Sequence, residues 1–222
     1  VSVNLKSLLS ANTLGDEFTR LRRELEAREP RPRHIVVFGA SGKEGASTVA
    51  AHLAMAFASG QAAGGGRVLL VQANLHKRAQ RNDNGLPFEG PGLWGWDMSS
   101  ALPSQPFSRQ PALHLLGPGN PPSDRMGLAS ASDRLLAALT QADREDYAYT
   151  IWDVPALLQH AEGIDLIAAS DGGLAVIEMD ETRVGALEYL RGVLDRRNAR
   201  LLGAVLNRCG RYWPRSTRRL AA

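Results

Sequence analysis

The sequence predicts an α/β fold with a mostly parallel central sheet flanked by helices. Three observations carry that reading. Short β-branched or leucine-rich apolar runs, of the kind buried on both faces of a parallel sheet, recur along the chain. Helical segments alternate with them. The 222 residues, 44% hydrophobic and 22% charged, suit one globular domain rather than two. No apolar run approaches the ~20 residues that span a bilayer. The most apolar helical stretch, residues 48–58, is too short and contains His52. The opening VSVNLKSLLS has one Lys and no long apolar core, so it does not read as a signal peptide. A single cysteine, Cys209, forms no internal disulfide, and a reducing compartment is the expectation.

Taken in order, residues 1–15 read as a flexible N-terminal arm. Asp16 reads as the cap of a helix to about Ala27, which Pro30 and Pro32 stop. Residues 34–38 (HIVVF) predict a buried strand. The Gly/Ser loop GASGKEGAS follows, and Ser47 or Thr48 opens a helix to about Ser59. A turn over 61–66 leads to a second strand at 67–72 (RVLLVQ). Residues 74–111, rich in Gly, Pro, Asn and Ser, read mostly as loop, with a short helical turn at 93–101. Strands are predicted at 113–116, 147–152, 173–177 and 201–206. Helices are predicted from Ser130 or Ser132 to Ala142, at 160–169 and at 182–197.

Ligand sites in such sheets lie at the carboxyl ends of the strands. The loops after Phe38, Gln72, Leu116 and Trp152 are therefore the ones to read for chemistry. The first has the setting of a phosphate-binding P-loop, G-x-x-x-x-G-K-[ST], between strand and helix. Ala40 stands at its first glycine, Gly45 at its second, Ala46 in the lysine slot and Ser47 at the hydroxyl. Glycines let backbone N–H groups wrap a phosphate, and the helix N-terminus adds partial positive charge. An ordinary Gly-rich turn fits the same residues.

The run of motifs resembles the bacterial tyrosine autokinases (BY-kinases) of capsule and exopolysaccharide assembly. These are deviant-Walker P-loop ATPases, related to the septum-site and plasmid-partition ATPases. The family's P-loop, roughly S-x-x-P-G-E-G-K-S-T, is similar to GASGKEGAST, with Glu44, Gly45, Ser47 and Thr48 in place and Gly42 and Lys43 at the Pro and Gly positions before them. Ahead of it, Glu17, Arg20 and Arg23 match the family's E-x-x-R-x-x-R helix, implicated in ring assembly. Where the family has L-L-I-D-x-D-x-R, this chain has Leu69-Leu70-Val71-Gln72-Ala73-Asn74-Leu75-His76. Residues 92–97 and 113–122 resemble two further family segments. Residues 147–155 (YAYTIWDVP) keep Asp153 and Pro155 of the third motif, and residues 202–207 resemble the closing strand G-x-V-L-N. The resemblance covers residues 16–210 as one P-loop domain, followed by a basic tail, 211–222.

By that resemblance the P-loop lysine grips phosphates and Ser47 binds Mg²⁺. The second motif's two aspartates serve the metal and deprotonate the attacking tyrosine, and Asp153 supports the metal. Here the lysine is Ala46 and the two aspartates are Gln72 and Asn74. The C-terminal tyrosine cluster is reduced to Tyr212. Losing one charge-assisted hydrogen bond weakens binding roughly 10- to 100-fold, so weak ATP or ADP binding with Mg²⁺ can survive. Phosphoryl transfer, which depends on positioned charge, is harder to keep. The resemblance thus implies a pseudokinase with weak or absent nucleotide binding. It would be a scaffold or regulator at the cytoplasmic face of the membrane, docked on a polysaccharide copolymerase or synthase complex and self-associating through Glu17, Arg20 and Arg23.

Two alternatives remain open at this stage. One is an active ATPase or autokinase with relocated groups, Lys43 for the lysine and Glu44 or Asp97 for a carboxylate. The other is a partition-type protein on membrane or DNA. Net charge is +3, and eight arginines with no acidic side chain follow Asp195, a surface for acidic lipid or an acidic partner; nucleic acid ranks behind these. Trp94, Trp96 and Trp152 read as packing residues, with Trp94 and Trp96 also candidate partner anchors. The five histidines show no local metal-ligand spacing.

Overall fold

The computed structural model describes residues 11–61, 64, 66–76, 86–122 and 131–209, with only the backbone described for 11–14. The N-terminal segment 1–10 and the basic tail lie outside the described residues. The strands are β1 (His34–Gly39), β2 (Val68–Gln72), β3 (Gln105–Phe107), β4 (Gln110–Leu116), β5 (Tyr149–Asp153), β6 (Gly172–Glu178) and β7 (Leu201–Asn207). The helices are α1 (Ala11–Glu26), α2 (Ala46–Gln61), α3 (Gly92–Gly95), α4 (Ala131–Arg144), α5 (Glu162–Ala169) and α6 (Val184–Arg196). The strands form one sheet in the order β3-β4-β2-β5-β1-β6-β7, parallel except for the antiparallel pair β3–β4.

Alternation along β1 builds both layers of the core. Ile35 and Val37 point to one face, where Phe18, Leu21 and Leu25 of α1 and Val49, Leu53 and Phe57 of α2 cover them. Val36 and Phe38 point to the other face, covered by Leu135 and Ala138 of α4, Leu166 and Ile167 of α5, and Leu190 and Leu194 of α6. Trp152 is fully buried in that second layer, and its indole N–H donates to Thr150 Oγ1 (2.7 Å).

Three elements differ from the sequence expectation. Helix α1 begins at Ala11, so Asp16 lies exposed within it rather than capping it, and 11–15 belong to the helix rather than to an arm. Only Gly15 in that stretch opposes helix, at a cost of about 1 kcal/mol. The helix expected over 93–101 stops at Gly95. The Asp97 carboxylate takes the N–H groups of Ser99 and Ser100 (both 2.9 Å), a local turn that competes with helix, and Met98 sits at φ 63°. Within the stretch read as loop, 105–107 forms the edge strand β3, where Pro106 costs no ladder bond that the edge needs.

Candidate functional site

The sheet's carboxyl end is built around the loop from β1 to α2. Gly42 (φ 96°) and Gly45 (φ 85°) take left-handed backbone that side chains resist. Between them the Glu44 carboxylate folds back into the loop. It accepts the N–H groups of Ser41 (2.7 Å), Gly42 (2.8 Å) and Lys43 (2.9 Å) and the Ser41 hydroxyl (2.7 Å). Burial alone would raise the pKa of this carboxyl, but the bonds from Ser41, then Gly42, outweigh it and hold the group below its ordinary value. Glu44 therefore satisfies three N–H groups of the first half of the loop, those of Ser41, Gly42 and Lys43.

Neighbouring strands pin the loop from two sides. Asn207, buried at the end of β7, donates from Nδ2 to Glu44 O (2.7 Å). A Cβ on Gly45 would come within 2.4 Å of that nitrogen. Arg208 Nη1 donates to Lys43 O (3.0 Å) and to both oxygens of Glu178 (2.7 and 2.8 Å). From the β5 side, Leu157 N–H and Leu158 N–H donate to the carbonyls of Gly39 and Ala40 (both 3.2 Å), and Gln159 Nε2 donates to Ser41 O (3.0 Å). Ala40 is buried; Lys43 and Ser47 are exposed. Thr48 is half-buried, and its carbonyl meets His52 Nδ1 (2.8 Å), whose ring stacks on Phe18 of α1.

The other motif residues converge here. Gln72 and Asp153 are partners in the β2–β5 register. Ala73 N–H donates to Asp153 O (2.8 Å), tying the loop after β2 to β5. The Asn74 side-chain oxygen accepts His76 N–H (3.3 Å), a contact within its own turn. Asp153 is buried. The P-loop, Gln72, Asn74 and Asp153 thus share one end of the sheet, where the three positions of the second and third motifs hold one carboxylate and two amides and the lysine slot holds alanine.

The two carboxylates considered as relocated catalysts, Glu44 and Asp97, are otherwise engaged. Glu44 braces the loop. Asp97 is bound by Ser99 N–H, then Ser100 N–H and the Ser100 hydroxyl, which lower its pKa to about 2. A carboxylate held so far into its anionic form is a poor proton acceptor. Lys43 enters no ion pair among the described residues. Trp96 is buried, and Trp94 donates from its indole to Leu75 O (2.9 Å) while Arg134 stacks on its ring, so both serve packing. On α1, Arg20 and Arg23 are exposed, with Arg20 paired to Glu24 (3.0 Å), and Glu17 is half-buried.

Two features escaped the sequence. Asn207 and Arg208 brace the P-loop from more than 160 residues away. His76, His160 and Glu162 also meet, from the loops after β2 and β5. Neither has a signal in local spacing, because each contact is made only when the sheet closes.

No protein-family model and no curated protein matches the chain. Solved structures do. The chimerical protein CapA2B2 is 22% identical, with TM-score 0.72, over 88% of this chain and 85% of its own. The kinase domain of the Escherichia coli tyrosine kinase ETK is 18% identical, with TM-score 0.69, over 90% and 79%. The septum site-determining protein MinD of Pyrococcus horikoshii, complexed with Mg-ADP, is 19% identical, with TM-score 0.62, over 83% and 75%. The chain has the α/β fold that the CapA2B2 chimera, the ETK kinase domain and MinD share.

Proposed function

We propose that the chain is a catalytically degenerate BY-kinase-like protein, a scaffold or regulator of exopolysaccharide or capsule synthesis or export. Its partner would be a membrane copolymerase or synthase complex, met at the cytoplasmic face, with Glu17, Arg20 and Arg23 serving self-association. The observation that carries this reading is the loss of ionisable side chains at three motif positions of the sheet's carboxyl end. Gln72 stands beside Asp153 in register, Asn74 is turned into its own loop, and Ala46 fills the lysine slot. An amide neither accepts the proton of an attacking hydroxyl nor balances Mg²⁺ as a carboxylate does.

The test is calorimetric titration with ATP and ADP, each with and without Mg²⁺. It compares the native chain with an Ala46→Lys, Gln72→Asp, Asn74→Asp triple variant and adds an autophosphorylation assay. Native silence with binding restored in the variant is the expected result. ATP-dependent tyrosine phosphorylation by the native chain, lost in Ser47→Ala or Asp153→Asn, would overturn the proposal.

A further inference from the structure

His76, His160 and Glu162 come together at the rim of the same sheet end, from three places in the sequence. His76 ends the turn after β2. Its N–H is held by Asn74, and the adjacent Leu75 is buried, with its carbonyl accepting the Trp94 indole. His160 follows Gln159, whose side chain hangs on Ser41, and its own N–H donates to Ala156 O (3.0 Å). Glu162 opens α5. Both histidines reach the same carboxylate oxygen: Nε2 of His76 contacts Oε1 of Glu162, and Nδ1 of His160 lies 3.9 Å from it. The two imidazoles stack, with centroids 4.1 Å apart and an interplanar angle of 23°. That arrangement sends one nitrogen from each ring toward Glu162.

One ligand atom from each residue fits within 4.8 Å of the others. Tetrahedral zinc, with bonds of about 2.0–2.1 Å, sets its donors about 3.3 Å apart. The widest donor pair therefore needs to close by at most about 1.5 Å, while His76 Nε2 and Glu162 Oε1, already nearer than that spacing, need to move apart. Side-chain torsions can supply that, since the side chain of His76 is 30% exposed and that of His160 28%. Two imidazoles and one carboxylate suit a borderline ion such as zinc rather than Mg²⁺, which takes oxygen donors. Three protein ligands with a partly exposed face leave a fourth position for water or an anionic oxygen.

We propose that His76, His160 and Glu162 bind one zinc-class divalent ion. The ion would clip the loop after β2 to the loop after β5 at the mouth of the P-loop site. This goes beyond the functional reading above and does not depend on it, because none of the three residues belongs to the degenerate nucleotide and Mg²⁺ set.

The experiment uses the full chain without a histidine tag, stripped with chelator and titrated with Zn²⁺ and with Co²⁺. The expected result is one equivalent bound and a higher melting temperature. Visible d–d absorption from Co²⁺, of tetrahedral or five-coordinate intensity, should be displaced by Zn²⁺. His76→Ala and Glu162→Gln should each weaken binding by more than about 10-fold, the minimum expected when even an outer-shell partner is lost. Ser47→Ala should leave it unchanged. The weak, water-like spectrum of octahedral Co²⁺ in the native chain would overturn the proposal without recourse to any variant. So would zinc binding that survives His76→Ala, or that disappears in Ser47→Ala.

Discussion

Gln72 and Asp153 are register partners on adjacent parallel strands, so their side chains emerge side by side on one face at the sheet's carboxyl end. A carboxylate at position 72 would stand next to the buried Asp153. Gln72→Asp is therefore expected to destabilise the chain without metal by about 1 kcal/mol, through like-charge repulsion. Millimolar Mg²⁺ should recover part of the loss, and urea titrations with and without Mg²⁺ measure both effects.

Glu44 accepts four hydrogen bonds from the loop it belongs to. Glu44→Ala removes the acceptor and should cost about 1–3 kcal/mol. Amide exchange at Ser41, Gly42 and Lys43 should accelerate with it. The pH dependence has a fixed sign. The folded state holds this carboxyl below its ordinary pKa of 4.5, so its stabilisation is present above that value and is lost as pH falls through the folded pKa. Acid titrations of the native and Glu44→Gln chains should diverge above that window and converge below it.

His34 and His114 respond in a different window. Burial pushes both imidazoles below 6.5, and for His34 it outweighs the nearby carboxylates of Asp171 and Asp143. The unfolded chain takes up these protons near 6.5 while the folded chain resists them, so stability falls as pH drops through that value. Denaturant midpoints should be lower at about pH 5.5 than at about pH 7.5. His34→Asn should flatten that slope.

Gly45 is constrained twice, by its φ of 85° and by Asn207 at 2.4 Å from where a Cβ would lie. Gly45→Ala should lose about 1–2 kcal/mol from backbone conformation alone. Pairing it with Asn207→Ala relieves the contact but not the φ, so the double variant should stay below native stability in a thermal melt.

Arg20 and Arg23 face solvent, and the Arg20–Glu24 pair is an exposed i,i+4 contact that contributes about 0.3–0.5 kcal/mol. Arg20→Ala with Arg23→Ala should leave the melting temperature nearly unchanged. On the self-association proposal it should shift mass toward monomer in light scattering at high concentration.

The strands most legible in the sequence were those the fold buries most. HIVVF and RVLLVQ announce β1 and β2 because parallel interior strands need apolar residues on both faces. β3 was illegible for the opposite reason: as a three-residue edge with Pro106 it carries no such demand. The start of α1 was misplaced because Asp16 has the chemistry of a cap without the position of one. The P-loop and the residues gathered around it were readable as motifs. Their bracing by Asn207, Arg208 and Gln159, and the meeting of His76 with His160 and Glu162, were not. Those contacts belong to the closed sheet rather than to any stretch of chain.

The place of β1 in the sheet bears on how the chain is made. β1 is the first of the described strands in chain order, yet both its neighbours, β5 and β6, come more than 100 residues later. A ribosome adding about 5–20 residues per second holds HIVVF without its partners for many seconds. Contacts of such long sequence separation also fold slowly. Nascent or truncated chains that stop before Tyr149 would carry an apolar strand with two open edges, a template for pairing with other chains. Deletion series should therefore turn from aggregated to soluble only once both β5 and β6 are included.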